Sequence, residues 1–222
     1  MPKPAFKKEL IYVKGDDRIM ATKLDLTKEF KTYYSAKTRP EVAEFGEIPF
    51  LTIEGKGEPG GKKFTNKVEA LYPLSYGVKK ICKKQDKDFG VPKLEGLWWV
   101  ESNKPALEVP REEWRWKLII RMPDFVTSEI LEKAKEEVFK KKELELIKEI
   151  KFEKMKEGKC VQILHIGSYS TEPESLVKMR KLMEEKNFVE NGLHHEIYLS
   201  DPRRVPEEKW KTILRQPVKE QS

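Results

Sequence analysis

The chain has 222 residues, with 45 Lys and Arg against 38 Asp and Glu and a formal net charge of +7. That length holds one sizeable domain or two small ones, and tryptophans at 98, 99, 114, 116 and 210 argue against a disordered polar chain. No apolar run reaches the length of a membrane span, the basic N-terminus is not followed by a hydrophobic signal region, and Cys82 and Cys160 lack metal or redox spacing. A soluble, reducing, cytoplasmic setting is therefore the expectation. The positive charge invites a nucleic-acid reading, but the lysines interleave with Glu, as in LEKAKEEVFKKKELELIKEIKFEKMKEGK, the pattern of solvated helix faces. With no helix-turn-helix, zinc-finger or RNA-recognition signature, neither a nucleic-acid nor a membrane partner is expected. The oligomeric state stays open.

In chain order, residues 1–40 read as an extension with a short helix near Leu24 to Phe30. IPFLTIEGKG follows as an apolar strand ending at Gly55. A helix is predicted from about Phe64 to Lys84, with Phe64, Val68, Leu71, Val78 and Cys82 recurring near the helical period. Pro73 interrupts it, so a bent helix or two short ones are expected. EGLWWVES and WKLIIRMP then read as strands. A linker helix is expected from Thr127 to Lys142, with Ile130, Leu131, Ala134 and Val138 on one side. CVQILHIGSY is a strand ending at Gly167. The helix of TEPESLVKMRKLMEEKNF opens with Thr171 as N-cap and Glu174 three residues later, a capping box, and buries Leu176, Met179, Leu182 and Met183. HHEIYLSD and WKTILRQP close the chain as strands.

An internal repeat organises these elements. WKLIIRMP (Trp116 to Pro123) answers WKTILRQP (Trp210 to Pro217), EGLWWVES answers HHEIYLSD, and the strand ending at Gly55 answers the one ending at Gly167. Each half runs strand, helix, strand, strand. The class is α+β with mainly antiparallel sheet, a pseudo-twofold arrangement with a ligand cleft between the repeats. The expected division is an extension at 1–40 and one domain at 41–218, made of repeat one (41–125), a linker helix region (126–150) and repeat two (151–218).

The last hairpin carries the candidate chemistry. Glu is depleted in strands, yet Glu196 lies within one. Alternation puts His195, Ile197 and Leu199 on an apolar face and His194, Glu196 and Tyr198 on the other. Glu196 is either a cleft acid or solvent-facing surface. Adjacent His194 and His195 face opposite ways, and no Asp/Cys/His cluster accompanies them, so no metal is expected, and no cofactor. Ser168 and Ser170 lack a nucleophile-elbow context.

EALYPLSY, GLWWVES, HIGSYS and HHEIYLSDPRR with ILRQPV together resemble the GyrI-like small-molecule-binding family, from about Leu24 to Val218. The likeness is to its free-standing branch, not to effector domains fused to DNA-binding modules. Members of that branch include cyclopropanoid cyclopropyl hydrolases, which open the strained ring of duocarmycin-like alkylators by adding water within an aromatic cage. The wider family binds amphipathic, often cationic, compounds. The resemblance implies that Glu196 reaches the ligand cleft, as counter-charge or as general base for a water. Tyr198 either stacks on the ligand and donates to the oxygen that gains charge on ring opening, or is an ordinary strand tyrosine.

The repeat makes Trp99 the counterpart of Tyr198 and Leu97 that of Glu196, so Trp99 is expected to wall the cleft while Trp98 fills core. Which of the two faces the ligand rests on that analogy alone. Glu101 is a candidate second acid or an exposed strand end. Tyr72 and Tyr76 share a helical face as further cage wall or packing, and Tyr169 follows the turn at Gly167. Three functions compete: a hydrolase of cyclopropanoids, a sequestering protein for planar or cationic amphiphiles, and a gyrase-interacting protein.

Overall fold

The computed structural model describes residues 23–221; residues 1–22 of the expected extension lie outside the described residues, as does Ser222. The short helix near the start is α1 (Leu26–Glu29), capped by the Asp25 carboxylate, which accepts from the backbone N–H groups of Thr27 and Lys28. Then follow β1 (Glu41–Lys56), α2 (Lys62–Lys83), β2 (Glu95–Trp99), β3 (Arg115–Arg121) and α3 (Ser128–Lys142). The second half supplies β4 (Lys151–Ile166), α4 (Glu172–Glu185), the three-residue β5 (Phe188–Glu190), β6 (His194–Tyr198) and β7 (Lys211–Glu220). Apart from β5, each half is the strand–helix–strand–strand unit expected from the sequence.

All strand pairings are antiparallel, in the order β4-β1-β3-β2-β6-β7-β5, and β4 also pairs with β7. Six strands therefore close into a barrel-like ring. The halves meet at two seams, β1 with β4 and β2 with β6. Alternation then divides the side chains cleanly. Leu51, Ile53, Trp116, Leu118 and Ile120 face outward beneath α2 and α3, and Val161, Ile163 and Leu214 face outward beneath Met179 and Met183 of α4. Phe50, Leu97, Ile119, Ile197 and Ile213 face inward and pack with Leu26, Tyr33 and Tyr34 of the N-terminal segment. The β2–β6 seam is left between the α2 side and the α4 side.

One helix expectation is narrowed to its single-helix form and one needs correction. α2 is continuous through Pro73. The stripe of Ala70, Leu71, Leu74, Val78, Ile81 and Cys82 is buried, and that packing outweighs the one hydrogen bond that proline removes. α4 has no capping box: the Thr171 hydroxyl donates 2.8 Å to Ser168 O instead, and the Ser168 side chain accepts from Ser170 N–H at 3.2 Å, closing a 3-10 turn ahead of the helix.

The repeat register also shifts. Gly57 N–H donates 2.9 Å to Trp114 O, and Gly167 N–H donates 3.0 Å to Trp210 O. Both glycines have φ near +130° (135° and 132°), a conformation that disfavours a Cβ. Trp114 Nε1 donates to Val109 O and Trp210 Nε1 to Val205 O, five residues back in each case. Trp114 is thus the counterpart of Trp210, and Gly57 that of Gly167, two residues away from the match read in the sequence. Trp116 corresponds to Thr212.

Candidate functional site

Glu196 and Tyr198 lie side by side on the outer face of β6. The Tyr198 hydroxyl donates 2.7 Å to Glu196 Oε2 and accepts from Trp98 Nε1 at 3.2 Å. An indole N–H can only donate and a carboxylate oxygen only accept, so the direction of this relay is fixed: Trp98 to Tyr198 to Glu196. It crosses the β2–β6 seam, joining the halves. Here the expected pairing of Trp99 with Tyr198 is corrected. In the observed register Gly96 lies opposite Glu196 and Trp98 opposite His194, so Trp98 shares their face and Trp99 points to the other. Gly96 occupies the place in the first half that Glu196 holds in the second. A Cβ there would sit 2.9 Å from Trp98 Nε1 and 3.1 Å from the Tyr198 hydroxyl. The bare backbone is what lets the two aromatic side chains meet.

Around this relay stands a set of rings. Phe64 stacks on Trp98 at 5.9 Å and 13°, and Trp114 meets Trp98 edge-on at 6.3 Å. Tyr169 meets Tyr198 edge-on at 6.0 Å and leans over Trp210 at 4.9 Å. Tyr72 packs in the same cluster from α2. Of the residues singled out in the sequence, the structure brings Glu196, Tyr198, Trp98, Tyr169 and Tyr72 together. Tyr76 points to solvent and is 55% exposed, and Glu101 is exposed and ion-paired with Arg115 at 2.8 Å.

One acid at this site escaped sequence reasoning. Glu172, the first residue of α4, is 9% exposed and its Oε1 is buried with no hydrogen-bond partner. Burial first, and the neighbouring Glu196 carboxylate second, push it up to about 9. Burial and the same two acids raise Tyr169 to about 12, and burial with Glu196 raises Tyr198 well above the ordinary phenol range. A first-turn Glu is what the helix dipole ordinarily favours, so nothing in the sequence marked it. Trp210 joins this set of rings through Tyr169.

The inner face of the same strand carries a second, unforeseen constellation. His195 is fully buried between two carboxylates: Nε2 lies 3.0 Å from Glu95 Oε2 and Nδ1 2.9 Å from Glu157 Oε1. Tyr33 donates to the same Glu95 oxygen. Arg215, also fully buried, donates 2.9 Å to Glu157 Oε2, 3.1 Å to Gln162 Oε1 and 2.9 Å to Tyr33 O, while its guanidinium lies over Phe45 at 3.7 Å. Burial opposes the charge on His195, but Glu157 and then Glu95 override it and hold the imidazolium up to about 9. Burial likewise opposes ionisation of Glu157, and His195 and Arg215 bring it down to about 2. His195 was expected on the core face and lies there, but ionised and paired. Its partners Glu95 and Glu157 lie 100 and 38 residues away in the sequence.

With the geometry in place, comparison with known proteins defines the class. The GyrI-like small molecule binding domain model matches residues 38–219. The chain belongs to the GyrI-like small-molecule-binding family. A crystal structure of an uncharacterized conserved protein from Listeria innocua is 40% identical with a TM-score of 0.83, covering 89% of this chain and all of its own. A crystal structure of a hydrolase from Listeria innocua is 39% identical, TM-score 0.78, with the same coverage. The EcmrR C-terminal domain, 13% identical with a TM-score of 0.55 over 82% of this chain and 98% of its own, shares the fold. No curated protein sequence matches the chain. Among the described residues, no helix is long and apolar enough to cross a membrane.

Proposed function

We propose that the protein is a hydrolase that opens the cyclopropane of planar cyclopropyldienone alkylators by adding water, a detoxifying activity. The observation that carries this reading is Glu196, held at 2.7 Å by Tyr198 in a cage of aromatic side chains. A carboxylate whose orientation is fixed by a phenol and an indole is placed to hold and deprotonate a water, while the rings stack on a flat ligand. The Listeria innocua protein described as a hydrolase, 39% identical over its whole length, supports enzymatic chemistry on this scaffold. In this reading Tyr198 orients the base. Its proton is committed to Glu196, so it is not the donor to the ligand that the sequence alone suggested.

A second reading rests on the same rings. Tyr169, Tyr198, Trp98 and Trp210 around an acid also suit a planar cation held by its charge without reaction. Incubation of the purified protein with a duocarmycin-type alkylator, followed by product mass, separates the two. A ring-opened product one water heavier, formed over many turnovers and lost in Glu196→Gln, is expected. Unchanged compound with quenched tryptophan fluorescence identifies a sequestering protein.

A further inference from the structure

We propose that Glu172 is the general acid of this site, holding a proton that it delivers to the ligand oxygen on which charge accumulates, opposite Glu196 as base. The inference rests on the hydrolase reading above and adds the second half of its proton inventory. Addition of water across a cyclopropyldienone needs two proton movements. The water oxygen bonds to the cyclopropane methylene carbon as the carbon–carbon bond to the ring junction breaks. That electron pair passes through the dienone to its carbonyl oxygen, which becomes a phenol oxygen. Glu196 takes one proton from the water, and the phenol oxygen takes one from a donor. Afterwards the proton on Glu196 returns to the donor, and the site is reset with no other reactant.

The donor is identified by elimination among the polar groups gathered around Glu196. The Tyr198 hydroxyl donates to Glu196 and is not free. Trp98 Nε1 donates to Tyr198. His194 Nε2 stands 3.7 Å from Glu196 Oε1, on the far side of that acid along β6. Tyr169, from the turn before α4, is 40% exposed and raised to about 12, a poor acid at neutral pH. Glu172 alone combines near-complete burial with an oxygen that has no partner in the protein. Two carboxyl groups that share a desolvated site do not both ionise, and the more buried one retains its proton. Glu196 is stabilised as acceptor by the Tyr198 hydroxyl, whereas Glu172 Oε1 receives no hydrogen bond. The asymmetry of hydrogen bonding assigns the proton. Its position in the first turn of a 14-residue helix does not reverse this, because burial removes the water that would solvate the anion.

Two measurements on the full-length protein test the assignment. Infrared difference spectra at pH 7.5 of wild type against Glu172→Gln are expected to show one neutral carboxylic acid carbonyl band, shifted in heavy water and present in Glu196→Gln as well. With a duocarmycin-type alkylator as probe, Glu172→Gln is expected to lower kcat by about 10²- to 10⁴-fold, the range of general-acid catalysis. Its KM is expected to stay close to that of the wild type, because the amide still donates a hydrogen bond. The wild-type alkaline limb of kcat is expected to disappear in the variant. Wild-type turnover with an unchanged rate and pH profile in Glu172→Gln overturns the role of Glu172 and leaves the hydrolase reading standing. Absence of the carboxylic acid band overturns the protonation on which the role depends, whatever the variant does. A wild type that does not turn over the alkylator overturns both readings.

Discussion

Neighbouring residues of β6 face two opposite electrostatic worlds. His195, inside the ring, is surrounded by partners: both ring nitrogens meet carboxylates and the second of these is shared with Arg215. Glu196, outside, has a phenol for a partner and another acid, Glu172, for a neighbour. The inner face pairs its ionised groups across the strands, whereas on the outer face Glu172 Oε1 has no hydrogen-bond partner.

Removing the inner cation is expected to have the largest effect. His195→Ala leaves Glu95 and Glu157 buried without their shared partner, and loss of about 3–5 kcal/mol in urea unfolding is expected, the usual cost of breaking a buried ion pair. Glu196→Gln, one residue on, is expected to leave the unfolding midpoint close to that of wild type. Comparable destabilisation by both variants would erase the distinction between the faces.

Next in size is Gly96→Ala. Its Cβ collides with Trp98 and the Tyr198 hydroxyl, so about 1–3 kcal/mol of stability is expected to be lost by overpacking. The separated relay is also expected to weaken quenching of tryptophan fluorescence by a planar ligand. Retention of wild-type stability and quenching would show that the contact between the two aromatic groups is dispensable.

The pH dependence of stability has the same sign for His195 and Glu172 and the opposite sign for Glu157. His195 is raised in the folded state, so its contribution is complete below pH 6.5 and is lost as pH rises through about 9. Glu157 is lowered, so its contribution is present above pH 4.5 and is lost as pH falls toward 2. Glu172 is raised from the ordinary carboxylate value, so the folded state binds a proton that the unfolded state releases, and stability falls as pH rises from 4.5 toward about 9. Glu172→Gln is accordingly expected to stabilise the protein by about 1–2 kcal/mol at pH 8 and hardly at all at pH 4. Thermal unfolding at the two pH values reads the difference, and an equal gain at both would remove the titration as its cause.

The smallest effects are expected from residues that the structure puts outside the comparison. Tyr76→Ala and Glu101→Gln lie at exposed positions and are expected to change stability by less than about 0.5 kcal/mol and ligand quenching not at all. A marked loss of quenching in either would extend the site beyond the relay and its rings.

Much of this arrangement is legible in local pattern. Alternation along β6 was enough to put Glu196 with Tyr198 and His195 in the core, and the duplicated strand–helix–strand–strand order follows from periodicity and turn residues. The register of the repeat was not legible, because tryptophans at both 114 and 116 offer alternative matches to Trp210. A two-residue slip preserves the face of a strand, but the accompanying one-residue slip between Trp99 and Tyr198 reverses it, and Trp99 was matched to Tyr198 in place of Trp98 for that reason. The inner ion network was hidden for a different reason. Glu95 and His195 are 100 residues apart, and only closure of the β2–β6 seam makes them partners. Glu172 was hidden because its burial depends on how α4 packs over β4, not on any property of its own segment.

The exchange of Gly96 for Glu196 between the halves has one more consequence. Two copies of a module that kept the same residue here would build a seam indifferent to rotation about the pseudo-twofold axis. As it is, the seam carries bare backbone and indole on one side and two carboxyl groups on the other. The two ends of the seam differ, and the duplicated fold has lost its twofold symmetry at this position.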